Sequence, residues 1–575
     1  MLRRIFSYMK EYKKYAWLAL ICIGVEVVLE IMVPKLMADL IDIGVTNSDV
    51  PYIINKGIQM AVCAVAALIL GVGSARFSAL AGQGLGANIR KAEYEKLQSY
   101  SFSNIDHFSV SSLVTRLTSD VTNIQNAVST GMRPFGRSPV MLIFATTLAF
   151  QINSTLALVF LVALPVLAVL LIIIIINVGP RYGRMQGAVD LVNRCIEENL
   201  TAVRVVKSYV RGDYEIEKFG HVNDNLKNES EKAFGIAVLN MPAMQFVMYS
   251  TILGILLIGG RLINSGQMMI GQLTSFLSYV LLILNSLMMM SNVFLLMTRS
   301  LASAERIMKV IDEPIDITDE NAKDIEVKKG EIEFNHVWFK YKDTAKEYVL
   351  SDVSFHINAG QTVGIIGQTG SSKTTLIQLI PRLYDASKGE IKIDGINVKE
   401  YPVRHLRDAI SVVLQKNTLF SGSLIDNLRW GNENATLDEI KEACSIACVD
   451  EFIDRLPGGL DAEMGQEGVN VSGGQKQRIC IARAILKKPK VLILDDSTSA
   501  VDTATEGKIR NALSKKLPDM TKIIIAQRIS SVCHADQIII MDGGRVDAIG
   551  THESLLRTNK IYQEIYESQK EGADL

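Results

Sequence analysis

Lys373 and Thr374 close a turn built from Gly367, Gln368, Thr369, Gly370, Ser371 and Ser372, with Thr375 behind them. The apolar run Thr362-Val363-Gly364-Ile365-Ile366 leads straight into this turn. A strand, then such a turn, then a helix is the setting that makes a phosphate-binding loop. Backbone N–H groups wrap the phosphates, and the helix N-terminus adds its positive dipole. Lys373 would pair with the β- and γ-phosphates of ATP, and the Thr374 hydroxyl would bind Mg²⁺. A second apolar run, Val491-Leu492-Ile493-Leu494, ends in Asp495. A strand-end carboxylate at that place would hold Mg²⁺, directly or through water.

The elements that must carry these groups fall into two unlike halves. The chain has 575 residues, too many for a single core. Its net charge of -1 gives no electrostatic reason to expect a nucleic-acid partner. The 48% hydrophobic content is concentrated in long runs before residue 300, while the rest reads as an α/β domain. A span needs about 20 mostly apolar residues, and six runs are read as spans or the apolar part of one: 15–34, 58–80, 139–151, 156–178, 243–262 and 273–297. Arg3, Arg4, Lys10, Lys13 and Lys14 precede the first, which puts the N-terminus in the cytosol. No cleavable signal is expected there. Six spans then return the chain to the cytosol at Arg299. The seven cysteines show no metal-ligand spacing and suit a reducing compartment. Asn470-Val471-Ser472 matches a glycosylation acceptor only by chance.

Glu26 and Glu30 lie inside the first span on one helix face. A charge in the bilayer costs at least about 2.5 kcal/mol, so each acid needs a partner or a cavity. Two readings stay open: an ion pair with Arg76 of the second span, or a negatively lined cavity for a cationic or amphipathic substrate. Met288, Met289, Met290 and Met297 in the sixth span suit either a pliable binding surface or ordinary packing.

The tract Val471-Ser472-Gly473-Gly474-Gln475 lies between the phosphate loop and Asp495. In that order, the pieces resemble the nucleotide-binding domain of ABC transporters. With the six spans, the resemblance covers essentially the whole chain, in the manner of a multidrug, lipid or peptide exporter half. It implies an all-α six-span transmembrane domain over 1–310 followed by an α/β ABC ATPase domain over 325–570. It further implies that Tyr341 stacks on adenine and that Gln415 touches Mg²⁺ and senses coupling helices near 109–120 and 211–219. Ser472, Gly473, Gly474 and Gln475 would open a helix that caps the γ-phosphate held by a second subunit. Asp502 would belong to the inter-subunit loop that begins at Ser499.

Val471 replaces the usual Leu of the signature, and three further positions depart from the family pattern. Ser372 replaces Gly, which takes unusual dihedrals without cost. Asp496 replaces the Glu that serves as general base. Its carboxylate falls back by about a bond length, and a misplacement on the order of 1 Å costs about a hundredfold. Gln527 replaces His, and a neutral amide cannot carry imidazole's charge. The resemblance is nearest to the degenerate-site subunit of a heterodimeric ABC exporter. Its partners would be a second exporter half, membrane lipid and an amphipathic small molecule, lipid or peptide as cargo. A homodimer with two slow sites and a non-pumping, ATP-gated regulatory subunit are the alternatives. The chain alone is expected to bind ATP and hydrolyse it poorly. ATPase activity of the isolated chain equal to that of an intact exporter would overturn this reading.

Overall fold

The computed structural model describes residues 2–571 except 321, 343 and 498–500. Its contacts divide the chain into two compact units, Met1–Gln98 with Val110–Asp312, and Ser99–Ser109 with Glu313–Leu575.

The first unit is helical. It comprises α1 (Leu2–Ser7), α2 (Lys13–Asp39) and α3 (Val50–Gln98). After α4 (Phe102–His107), which belongs to the second unit, follow α5 (Val110–Thr115), α6 (Val121–Ser129), α7 (Met132–Ile152) and α8 (Ser154–Thr201). The unit ends with α9 (Val203–Ser208), α10 (Gly212–Ala237), α11 (Asn240–Asn264) and α12 (Ile270–Ile311). Among the described residues, six helical stretches are long and apolar enough to cross a membrane. Several run well past the bilayer: α3 has 49 residues and α8 has 48, against the ~20 that a span uses.

Two cores hold this unit together. One packs Ile23, Val27 and Ile31 of α2 against Met141 and Ala145 of α7 and Phe276 and Tyr279 of α12. The other packs Ile5 of α1 and Met9 against Ile89, Ile124 and Ile307. Arg4 reinforces the second, donating through Nη1 and Nη2 to both carboxylate oxygens of Asp312 at 2.8 and 2.5 Å. The short helix α1 is thereby clasped to the end of α12.

The acids of the first span are paired, but not with Arg76. Arg133 Nη2 lies 2.6 Å from Glu26 Oε1, and Arg137 reaches Glu26 at 3.3 Å and Glu30 at 2.6 Å. Arg76 sits on the exposed face of α3. Both arginines belong to the first turns of α7, which begins seven residues before the apolar run that marks it in the sequence. Gly71 of α3 makes the space: a Cβ there would meet Glu26 Oε1 at 3.2 Å and Arg133 Nη2 at 3.3 Å.

The stretch 109–120, expected to carry a short helix, holds α5, and a second short helix, α4, precedes it. Residues 110–120 form α5 and a wide helical turn within the helical unit, whereas α4 belongs to the second unit. Ser101 and Asn104 form a reciprocal cap at its start, Asn104 Nδ2 donates to Pro314 O at 2.8 Å, and Tyr384 Oη donates to Asp106 Oδ2 at 2.7 Å. The stretch 211–219 opens α10 and carries exposed Tyr214 and Ile216.

The second unit centres on a six-stranded sheet. Its spatial order is Arg545–Gly550, Gln537–Asp542, Thr362–Ile366, Thr521–Ile525, Val491–Asp495, Ile410–Val413, parallel except at the first pair. The five parallel strands are covered on both faces and read as largely apolar runs, whereas the edge strand Arg545–Gly550 is half-open. Alternate side chains serve opposite cores: Leu492, Leu494 and Ile524 face one, and Val491, Ile493, Ile523 and Ile525 the other. A four-stranded antiparallel sheet, ordered Leu350–Ile357, Ile332–Phe339, Lys388–Ile393, Ile396–Asn397, flanks it.

Removing the bridging arginine with Arg137→Gln leaves Glu30 and part of Glu26 uncompensated. It should lower the stability of the helical unit by roughly 3 kcal/mol or more. Arg76→Gln should leave the melt unchanged. A thermal melt of both variants in detergent decides; equal losses would contradict the pairing seen here.

Candidate nucleotide site

Strand register brings the separated motifs to one edge. Ile525 pairs with both Ile365 and Asp495, and Leu494 pairs with Val413. The carboxyl ends of four parallel strands are therefore level, and the residues just beyond them converge: Gly367, Gln415, Asp496 and Gln527. In open α/β sheets this is the edge where ligands bind.

The phosphate loop follows Thr362–Ile366 and leads into the helix Lys373–Leu379. Gly367 is held tightly: a Cβ there would stand 2.2 Å from Met541 O. Gly370 takes φ +87° and Ser372 takes φ +69°, both left-handed. The glycine is suited to that region and the serine is not, which makes the sequence departure at 372 a local backbone cost. Lys373 Nζ donates to Gly367 O and Gln368 O, both at 2.9 Å, and to Ser371 Oγ at 3.2 Å. Burial lowers its pKa, against the pull of Asp495 and Asp496.

Thr374 Oγ1 donates to Asp495 Oδ1 at 3.3 Å. Asp495 is 2% exposed, and among the described residues its Oδ2 has no hydrogen-bond partner. Burial raises this carboxyl above its ordinary range, opposed by the Thr374 hydroxyl. A buried carboxylate oxygen without a donor, next to a threonine hydroxyl, is chemically suited to a hard cation that takes oxygen ligands and keeps several waters.

Asp496 faces a different set. Its Oδ2 accepts from Gln527 Nε2 at 3.0 Å and from Gln415 Nε2 at 3.5 Å. Its backbone sits at φ +48°, and its N–H donates to Ile525 O at 3.0 Å. Burial raises its pKa, with Gln415, Lys373 and Gln527 opposing. The two sequence departures are thus in direct contact: the short carboxylate is tied to the amide that stands for histidine. Gln415 joins Asp496 through its amide, while Thr374 joins Asp495.

Tyr341 is half-exposed beside the phosphate-loop helix, with Oη 2.9 Å from Thr375 Oγ1 and donating to Gln378 Oε1 at 3.3 Å. Its ring stands edge-on to Tyr384 at 5.2 Å. Tyr384, which the sequence reading passed over, therefore touches both Tyr341 and, through Asp106, α4. Burial and the Asp106 contact push its phenol well above the usual range.

Ser472 caps the helix Gly473–Leu486. Ser472 Oγ accepts from Gln475 N at 3.3 Å, and Gln475 Oε1 accepts from Ser472 N at 2.9 Å. The first turn carries Gly473 and Gly474, which bring no side chains of their own. Asp502 caps the helix Thr503–Lys516, accepting from Thr505 N at 2.9 Å. Ser499 and Ala500, expected in the inter-subunit loop, lie outside the described residues.

Comparison with known proteins agrees with this architecture. Residues 16–287 match the family described as ABC transporter transmembrane region, and residues 350–499 match ABC transporter. The ABC transporter ATP-binding protein YfiB of Bacillus subtilis (strain 168) is 38% identical over 575 residues, all of both chains. An ATP-dependent lipid A-core flippase of Pseudomonas putida is 32% identical over 576 residues, covering 98% of this chain and 95% of the flippase. A solved bacterial Atm1-family ABC exporter with ATP bound has the same fold, with a TM-score of 0.82 over 98% of each chain at 22% identity. The chain belongs to the ABC transporters. It is an ATP-hydrolysing exporter half of the membrane, multi-pass, with its ATPase domain in the cytosol.

The left-handed φ of +69° at Ser372 is a cost carried by the backbone of the loop. Ser372→Gly should therefore raise the stability of the ATPase domain by about 1 kcal/mol at most, after glycine's own entropy is subtracted. Its ATP affinity should change by less than about twofold, a difference worth only ~0.4 kcal/mol. A melt together with titration of a fluorescent ATP analogue checks this; tighter binding without a melt shift would place the cost elsewhere.

Proposed function

We propose that this chain is the degenerate-site half of a heterodimeric ABC exporter. Its own phosphate loop, with Tyr341 against adenine and Mg²⁺ between Thr374 and Asp495, holds ATP and turns over slowly. Its signature helix, opening at Ser472, Gly473 and Gly474, completes the competent site of the partner. Asp502 then lies at the contact between the two halves. The observation that carries the reading is the bond from Gln527 Nε2 to Asp496 Oδ2 at 3.0 Å, with Gln415 Nε2 on the same oxygen. A general base must keep a lone pair aimed at the attacking water. Here the carboxylate is one methylene short and one of its oxygens, Oδ2, already accepts from two amide donors.

The cargo class that fits is amphipathic. A relative of nearly full-length coverage is named a lipid A-core flippase, and the span acids are consumed by Arg133 and Arg137 rather than presented as an open anionic wall. The paired acids argue against a cavity selective for cations.

Asp496→Glu with Gln527→His should raise turnover at this site by one to two orders of magnitude, roughly the range of a repositioned general base. In the assembled transporter, Ser472→Ala or Gly474→Asp should reduce ATPase activity far more than Asp496→Asn does. The reverse order would exchange the roles of the two sites.

A further inference from the structure

A cavity of about 500 Å³ opens where α1, the start of α2, α6, α7 and α12 meet. That volume lies within the ~300–1,000 Å³ of small-molecule sites. Met9 and Val128 form its buried floor. Gly131 shapes one side, where a Cβ would strike Ala127 O at 2.3 Å and approach Leu296 Cδ2 at 3.2 Å. Its rim is made of large apolar side chains left open: Phe6 is 43% exposed, Trp17 67% and Phe135 54%. Among the described residues, Lys13 is the only charged side chain in the lining. A sugar or peptide would find almost nothing there to hydrogen-bond.

The depth and charge of the site narrow the occupant. Lys13 and Trp17 stand at the cytosolic mouth of the first span, where lysine and tryptophan sit at the headgroup level. The segment before it carries Arg3, Arg4, Lys10, Lys13 and Lys14 against Glu11 alone. Arg4 is neutralised by Asp312, and Lys13 has no ion-pair partner among the described residues.

We propose that this cavity is a lipid site that seats one acyl chain of an acidic phospholipid from the inner leaflet, with Lys13 on the headgroup phosphate. The chain fills the apolar space under Phe6 and Phe135, and the headgroup remains in the interfacial layer with Lys10 and Lys14. The lipid thus wedges α1 against the base of α7 and α12.

The test uses the full-length transporter in phosphatidylcholine vesicles carrying a photoreactive lipid with a diazirine on one acyl chain. The probe has either a phosphatidylglycerol or a phosphatidylcholine headgroup. Label is expected at Trp17 and Phe135, about fivefold stronger with phosphatidylglycerol, the factor that one basic side chain contributes at an anionic surface. Ala16→Phe, which fills the cavity, should remove this label. Lys13→Gln should erase the headgroup preference while label persists. Equal labelling by the two headgroups in the wild-type chain would overturn the proposal and leave an ordinary boundary lipid. So would label that survives Ala16→Phe, or cross-links between two chains through Trp17, which would make the cavity a subunit surface. Labelling there by an amphipathic cation probe but not by either lipid would make it a cargo cavity and equally overturn it. If Ala16→Phe fails to fold, the wild-type headgroup comparison decides alone.

Discussion

In-register pairing of Ile365, Ile525 and Asp495 sets the ends of three parallel strands at one level, and the ATP chemistry of this chain depends on that alignment. The middle strand, Thr521–Ile525, is buried at every residue. Because side chains alternate between two cores, a slip of one residue would turn each apolar set to the wrong face. The same slip would carry Gln527 away from Asp496. Packing energy spread over both faces of the sheet therefore maintains a geometry that the polar residues could not hold themselves. Each polar contact at the edge is worth only about 1 kcal/mol.

The helical unit solves a different problem. Four charged groups are concentrated between α2 and α7, and the solution is mutual neutralisation with a glycine on α3 giving them room. Such a cluster adds little to stability compared with apolar packing, but it is costly to break. It fixes which turn of α7 faces which turn of α2.

Much of this was readable from the residues. The phosphate loop, the Asp495 strand and the six spans are written in local patterns, a strand-turn-helix and runs of apolar residues, and the structure places them so. The partners of Glu26 and Glu30 were not. Arg133 and Arg137 depress the hydropathy of the third span, so its apolar run begins after them, and an arginine visible in an apolar context, Arg76, is chosen instead. That α4 went unread has a similar origin: its signal is a reciprocal Ser101–Asn104 cap over a helix of 6 residues, too short for any periodicity. Tyr384 was missed because its role is relational. Nothing in the types around it reveals that Asp106, far off in sequence, and Tyr341 meet on its two sides. The contact of Asp496 with Gln527 was implicit in two separate substitutions and became a single feature only when strand register joined them.

The clasp of α1 on α12 has a practical consequence. Ile5 is 3% exposed beneath Ile307, and Arg4 holds Asp312 at the last residue before the chain leaves the helical unit. The first residues therefore cannot be handled as a disposable leader when the protein is produced. Trimming them would uncover core and release the exit point of α12 together, and a bulky fusion placed directly on Arg4's turn would press on the same joint.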